Sequence, residues 1–106
     1  MDNLVHIGHD TNVGQNCLFA AQVGIAGACI IEEGVVLWGQ VGVSKTLTIG
    51  ANAIVNAQSG VPSSLKGNKT YFGYPAVEAQ IKMKELVWIK RIPEIWKQLK
   101  HLTENK

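Results

Sequence analysis

The chain has 106 residues, a net charge of +2 and 46% apolar residues, which bounds it to one domain or a piece of one. No apolar run is long enough to span a membrane, and the first residues lack the basic stretch and apolar core of a secretory leader. A cytoplasmic protein is expected, with Cys17 and Cys29 as buried free thiols rather than a CxxC metal or redox pair.

Residues 1–3 are a short polar lead-in, and a repeat begins at once. Every sixth residue from Ile7 is large and apolar: Ile7, Val13, Phe19, Ile25, Ile31, Leu37, Val43, Ile49, Val55 and Val61. With about half of all residues apolar, ten such hits in a row would arise by chance about one time in a thousand. The residue two before each is small or apolar, and the residue after is usually small or turn-forming. A period of six matches neither helix nor flat strand. It is the hexapeptide repeat of a parallel β-helix, in which three hexads close one triangular coil of 18 residues. The large residue fills the prism, and coils stack at the ordinary strand spacing of about 4.8 Å. Residues 1–62 are therefore expected to form about three coils. Nothing before Leu4 can cap the open end, so another domain or another chain is expected to cover it. Trp38 stands where small residues dominate and is expected to point outward as part of a subunit interface; Phe19 is large for the interior.

Residues 63–75 lose the period and are rich in Pro, Ser and Gly, which reads as a loop. Its aromatics Tyr71, Phe72 and Tyr74 either pack over the end of the prism or line a groove for an apolar chain. Residues 76–106 read as two helices divided at Pro93. Ile95, Trp96, Leu99 and Leu102 form one apolar stripe that must pack on another helix, most simply those of symmetry mates in a homotrimer. The charge is uneven: residues 1–62 sum to −3 and residues 63–106 to +5. The basic tail is either a solvated surface or a docking patch for an acidic partner. Nucleic acid is not expected, because no basic-aromatic interleaving accompanies the charge.

His101 lies on the polar side of the last helix. His6 and His9 flank inward-pointing Ile7 and therefore face outward. Adding 18 to His9 gives Gly27, and adding 18 again gives Lys45, so the three stack on successive coils. An imidazole beside a sterically open glycine N–H is the minimum equipment for acyl transfer. The imidazole accepts the proton of the attacking group, and the amide stabilises the oxyanion.

The stretch NLVHIGHDTNVG (residues 3–14) resembles the catalytic segment of the acyl-carrier-protein-dependent acyltransferases of lipid A synthesis. AAQVGIAG (20–27), WGQVGV (38–43), AQSGV (57–61) and KTYFGYP (69–75) look most like the UDP-3-O-acylglucosamine N-acyltransferase family. The resemblance covers residues 3–102. It implies a left-handed β-helix and a transfer of a 3-hydroxyacyl group from acyl carrier protein to the 2-amino group of a UDP-glucosamine-type acceptor. His9 would be the general base and Gly27 the oxyanion donor. His6, Gln22, Trp38, Gln40 and Tyr71 would bind substrate along a groove between subunits, and the basic tail would be available to the carrier protein. No cofactor and no metal are implied. Asp10 would orient an imidazole. The family also carries an N-terminal uridine-binding domain and further coils that residues 1–106 do not contain, which leaves a non-catalytic trimeric scaffold as the alternative. A zinc enzyme of the hexapeptide type needs three histidine ligands, and His6, His9 and His101 are not spaced to supply them.

Overall fold

The computed structural model describes residues 4–104. The hexads become ten two-residue strands: β1 (His6–Ile7), β2 (Asn12–Val13), β3 (Leu18–Phe19), β4 (Gly24–Ile25), β5 (Ile30–Ile31), β6 (Val36–Leu37), β7 (Gly42–Val43), β8 (Thr48–Ile49), β9 (Ile54–Val55) and β10 (Gly60–Val61). They are followed by β11 (Thr70–Phe72), β12 (Val77–Glu78) and one helix, α1 (Ala79–Glu104).

Each strand pairs in parallel with the strand one coil further on, His6 with Gly24 and Leu37 with Val55, a shift of 18 residues. Three faces result: β1-β4-β7-β10, β2-β5-β8 and β3-β6-β9-β11, with β12 antiparallel on the edge of β11. The interior holds the predicted sixth residues. Ile25, Ile31, Leu37, Ile49 and Val55 are almost fully buried, and Phe19 fits among them at 1% exposure. The slimmer row two positions earlier, Val23, Cys29, Val35, Val41, Ala53 and Ser59, completes the core. Each Cys thiol donates to a backbone carbonyl of a neighbouring coil, Cys17 to Glu32 and Cys29 to Ser44. Val5 and Ile7 are only partly covered, because no described coil stacks on that side of them.

The corners are built from left-handed residues. One column carries Leu4, Gln22, Gln40 and Gln58, a second Asp10, Ala28 and Thr46, and a third Asn16, Gly34 and Asn52, all with φ near +60 to +70°. The first is laced by a glutamine ladder: Gln40 Nε2 donates to Gln22 Oε1 at 2.8 Å, and Gln58 Nε2 to Gln40 Oε1 at 3.0 Å.

Two expectations need correction. The segment 63–75 is not a plain loop, and the solenoid does not stop at about three coils. Leu65 bridges to Ile49, and Tyr71 pairs with Val55, each a shift of 16 rather than 18. The coil is shortened by two residues at Pro62–Ser64, after which the six-residue spacing resumes from Leu65 to Tyr71, giving about four turns. Gly73, Tyr74 and Pro75 then cross the last coil, joined by a cis Tyr74–Pro75 peptide. The crossing is held by Gly60 N–H to Gly73 O and Ala76 N–H to Gly60 O, both 2.9 Å.

The second correction concerns the tail, where one continuous helix of 26 residues replaces the expected pair, with Pro93 inside it. Proline costs a helix one amide donor and a clash with the preceding turn. Here good helix formers on both sides carry the helix through it. α1 packs chiefly on β11 and β12, and none of its residues is buried. Among the described residues, no helix is long and apolar enough to cross a membrane.

Candidate active site

The second corner column brings His9 and Gly27 together on consecutive coils. Ala28 N–H donates to His9 O at 2.8 Å, and Thr46 N–H to Gly27 O at 3.1 Å. A Cβ on Gly27 would lie 3.0 Å from His9 O, so the absence of a side chain there lets the two backbones close up. The His9 side chain is exposed. The Gly27 amide donates to none of the backbone hydrogen bonds among the described residues. Gly8 sits against it from the coil below: a Cβ on Gly8 would stand 2.6 Å from Gly27 N, so this glycine keeps the amide free of a covering side chain.

The molecule itself shows what a corner amide in this register can hold. Ala51 precedes a left-handed residue just as Gly27 does, and its N–H donates to the carboxylate Oε1 of Glu32 at 3.1 Å. An anionic oxygen on such an amide is therefore an observed arrangement. Gly27 presents the same donor, and among the described residues no acceptor sits on it.

The face that runs into this corner is a groove of about 580 Å³. Its outward positions are His6, Gly24, Gly42 and Gly60, one per coil. A Cβ at Gly24 or Gly42 would meet nothing within 4 Å, so neither glycine is demanded by packing. Their effect is a smooth floor. At Gly60 the Tyr74 ring lies where a Cβ would go, and Tyr74 forms the end wall.

The predicted binding residues divide. His6 lines the groove. Gln22 and Gln40 lie on the corner that precedes the floor, with their amides bonded to each other. Trp38 is 46% exposed outside the groove lining. Tyr71, by contrast with its expected place along the groove, is a core residue, 6% exposed, and its hydroxyl donates to Lys66 O at 2.9 Å. Inward pairing with β9 takes that side chain into the prism, and Tyr74 is the aromatic that reaches the groove. The glycine column at +18 spacing was a sequence signal for the floor; the role of Tyr74 was not readable, because it depends on how the chain crosses the last coil.

Away from the groove, Lys69 and Glu78 form an ion pair at 2.5 Å that ties β11 to β12. The hydrogen bond and negative charge of Glu78 raise the Lys69 pKa above its usual 10.5. Among the described residues no three His, Cys, Asp or Glu side chains gather as metal ligands.

A four-turn hexapeptide β-solenoid with a histidine and an open glycine amide on one corner defines a class, the hexapeptide-repeat acyltransferases. Among solved structures, a histidine-to-asparagine mutant of perosamine N-acetyltransferase from Caulobacter crescentus, in complex with CoA and GDP-perosamine, superposes with a TM-score of 0.70 at 26% identity, over 72% of this chain and 36% of that one. No family model matches the chain. By sequence the chain is a relative of the UDP-3-O-acylglucosamine N-acyltransferases. It is 38% identical over 91 residues to that of Caulobacter sp. strain K31 (86% of this chain, 27% of the relative). It is 43% identical over 75 residues to that of Campylobacter lari (71% and 24%). The chain thus spans about a quarter of the length of these curated relatives.

Proposed function

We propose that the chain is the acyl-transfer portion of an N-acyltransferase, moving a 3-hydroxyacyl group from acyl carrier protein to the 2-amino group of a UDP-3-O-acylglucosamine. The observation that carries this reading is the uncovered Gly27 amide one coil from His9, at the edge of the glycine-floored groove. The acceptor nitrogen attacks the thioester carbonyl while His9 takes its proton. The carbonyl oxygen gains the negative charge, and the Gly27 N–H stabilises it as the Ala51 N–H stabilises the Glu32 carboxylate. The intermediate collapses with cleavage of the carbon–sulfur bond, and the imidazolium returns the proton to the departing thiolate. The groove gives the acyl and pantetheine chains a floor without side chains.

The same reading includes a homotrimer. Ile81, Trp88, Ile92, Ile95, Leu99 and Leu102 are exposed along α1 at spacings of three, four and seven, the pattern of a helix that needs helical neighbours. Six Lys or Arg against three Glu on α1 suit it to the acidic carrier protein.

The test is amide formation from 3-hydroxyacyl carrier protein and UDP-3-O-acylglucosamine, with the chain and its His9→Ala variant. A positioned base contributes about 10²- to 10⁴-fold, so the variant is expected to lose at least that much turnover. Equal turnover in both would remove His9 from the mechanism. No turnover by a full-length relative that carries residues 4–104 of this chain in place of its own matching segment would refute the assignment.

A further inference from the structure

The Gly27 N–H and the Ala26 C=O belong to one planar peptide unit, so whatever holds the carbonyl also aims the amide. Ala26 lines the groove, and its carbonyl is taken by a side chain from the coil below: Thr11 Oγ1 donates to Ala26 O at 3.2 Å. The same hydroxyl oxygen accepts the Cys29 N–H at 3.3 Å, so Thr11 grips the corner on both sides of Gly27 and Ala28. Two backbone bonds from the same stretch complete the hold, Gly8 N–H to Ile25 O at 2.7 Å and Ala28 N–H to His9 O at 2.8 Å. Residues 8–11 thus carry the imidazole and bind the corner on either side of the open amide.

Packing does not ask for a hydroxyl at this position. Thr11 belongs to the slim row that points into the prism, where Val23, Val35 and Val41 stand at equivalent places and are buried. Two other members of the row reach the carbonyl 15 positions on, as Thr11 does: Cys17 Sγ donates to Glu32 O at 3.2 Å and Cys29 Sγ to Ser44 O at 3.1 Å. A thiol is a weak donor, whereas a hydroxyl is a full one. The stronger donor stands at the corner where His9 lies beside an uncovered amide.

We infer that Thr11 is a positioning residue for acyl transfer: its hydroxyl orients and polarises the Ala26–Gly27 peptide, so that the Gly27 N–H is aimed before the oxyanion forms. This rests on the acyl-transfer reading given above. A hydrogen bond accepted by the carbonyl draws electron density from the amide nitrogen and strengthens its N–H as a donor. A donor fixed in advance costs no reorganisation when the charge develops. Thr11 lies outside the groove lining, so it acts through the peptide and not on the substrate.

The experiment compares Thr11→Val, Thr11→Ser and Cys17→Ala with the unaltered sequence, by kcat and KM for amide formation and by NMR of the labelled chain. Kinetics are run on the chain alone and on a full-length relative that carries residues 4–104. Valine keeps the shape of threonine and already fills this row elsewhere, so Thr11→Val is expected to fold. It is expected to lower kcat about three- to tenfold, the worth of one neutral hydrogen bond, with KM nearly unchanged. Thr11→Ser restores the hydroxyl and should restore most of kcat. Cys17→Ala deletes the matching bond at the neighbouring corner, away from His9, and should leave kcat as it was. In the spectra, Thr11→Val should move the Ala26 carbonyl carbon and the Gly27 amide nitrogen upfield, whereas Cys17→Ala should move the Glu32 carbonyl instead. The inference is overturned if Thr11→Val turns over like the unaltered sequence, if it leaves the Ala26 and Gly27 signals in place, or if Cys17→Ala lowers kcat as much. Each of those results leaves the acyl-transfer reading standing, because the unaltered sequence is active in all three. No turnover by the unaltered sequence in either form would overturn both.

Discussion

Thr46 offers a sharp test of the corner geometry. Its φ of +61° places a β-branched residue in the left-handed region. The other two columns fill their left-handed positions mostly with Gln, Asn and Gly. A left-handed conformation costs a residue with a Cβ roughly 1–2 kcal/mol, with branching at Cβ toward the upper end. The side chain of Thr46 is exposed, so its removal forfeits little packing. Its backbone N–H, which holds Gly27 O at 3.1 Å, is kept by any residue except proline. Against the relief stands the extra chain entropy of glycine in the unfolded state, about 0.5–1 kcal/mol. Thr46→Gly is therefore expected to stabilise the chain by about 1 kcal/mol, a rise in Tm of about 4–8 °C for a domain of this size. Thermal unfolding followed by far-ultraviolet circular dichroism, at fixed protein concentration, reads it. Gln40→Gly is the control: it relieves the same backbone conformation but breaks ladder bonds on both sides, so its gain should be smaller or reversed. An unchanged or lower Tm for Thr46→Gly would refute the strained corner.

Leu37 is fully buried at mid-prism, and Leu37→Ala is expected to cost about 2–5 kcal/mol in urea unfolding. Gly42→Leu projects into open groove, so it should leave Tm nearly unchanged while suppressing acyl transfer; a large stability loss would contradict the free space at that position. Replacing Glu78 by Gln should bring the raised Lys69 pKa down toward 10.5, read by NMR titration of the lysine side chain. Because the folded-state pKa is raised, the stabilisation from the pair is fully present below the unfolded value of 10.5 and fades as pH rises through the folded value. Ile92→Glu puts a charge in the exposed stripe of α1, and sedimentation should then report a smaller assembly than that of the unaltered chain.

The six-residue period by itself determined the solenoid, its 18-residue coil and the identity of nearly every core residue. Each inward position is set by a local corner that recurs along the chain, and a period of this kind needs no long-range information. The same arithmetic stacked His9, Gly27 and Lys45, and it could have found the glycine floor at 24, 42 and 60. It failed where the phase slips: two residues are dropped at Pro62–Ser64, so Leu65 and Tyr71 enter the core out of step with the count. Pro93 misled for a related reason, since a local breaker was outweighed by the helix-forming residues on both sides of it. Tertiary structure alone decided which polar groups are spent and which are left free. Glu32 caps Ala51, the glutamines bond to one another, Tyr71 turns inward and Tyr74 folds over Gly60. Those outcomes depend on side chains meeting across coils 16 to 19 residues apart, and on how the chain crosses its last turn. The +18 spacing of Gln22, Gln40 and Gln58 is written in the sequence, but no spacing records the Glu32 cap, the inward turn of Tyr71 or the fold of Tyr74 over Gly60.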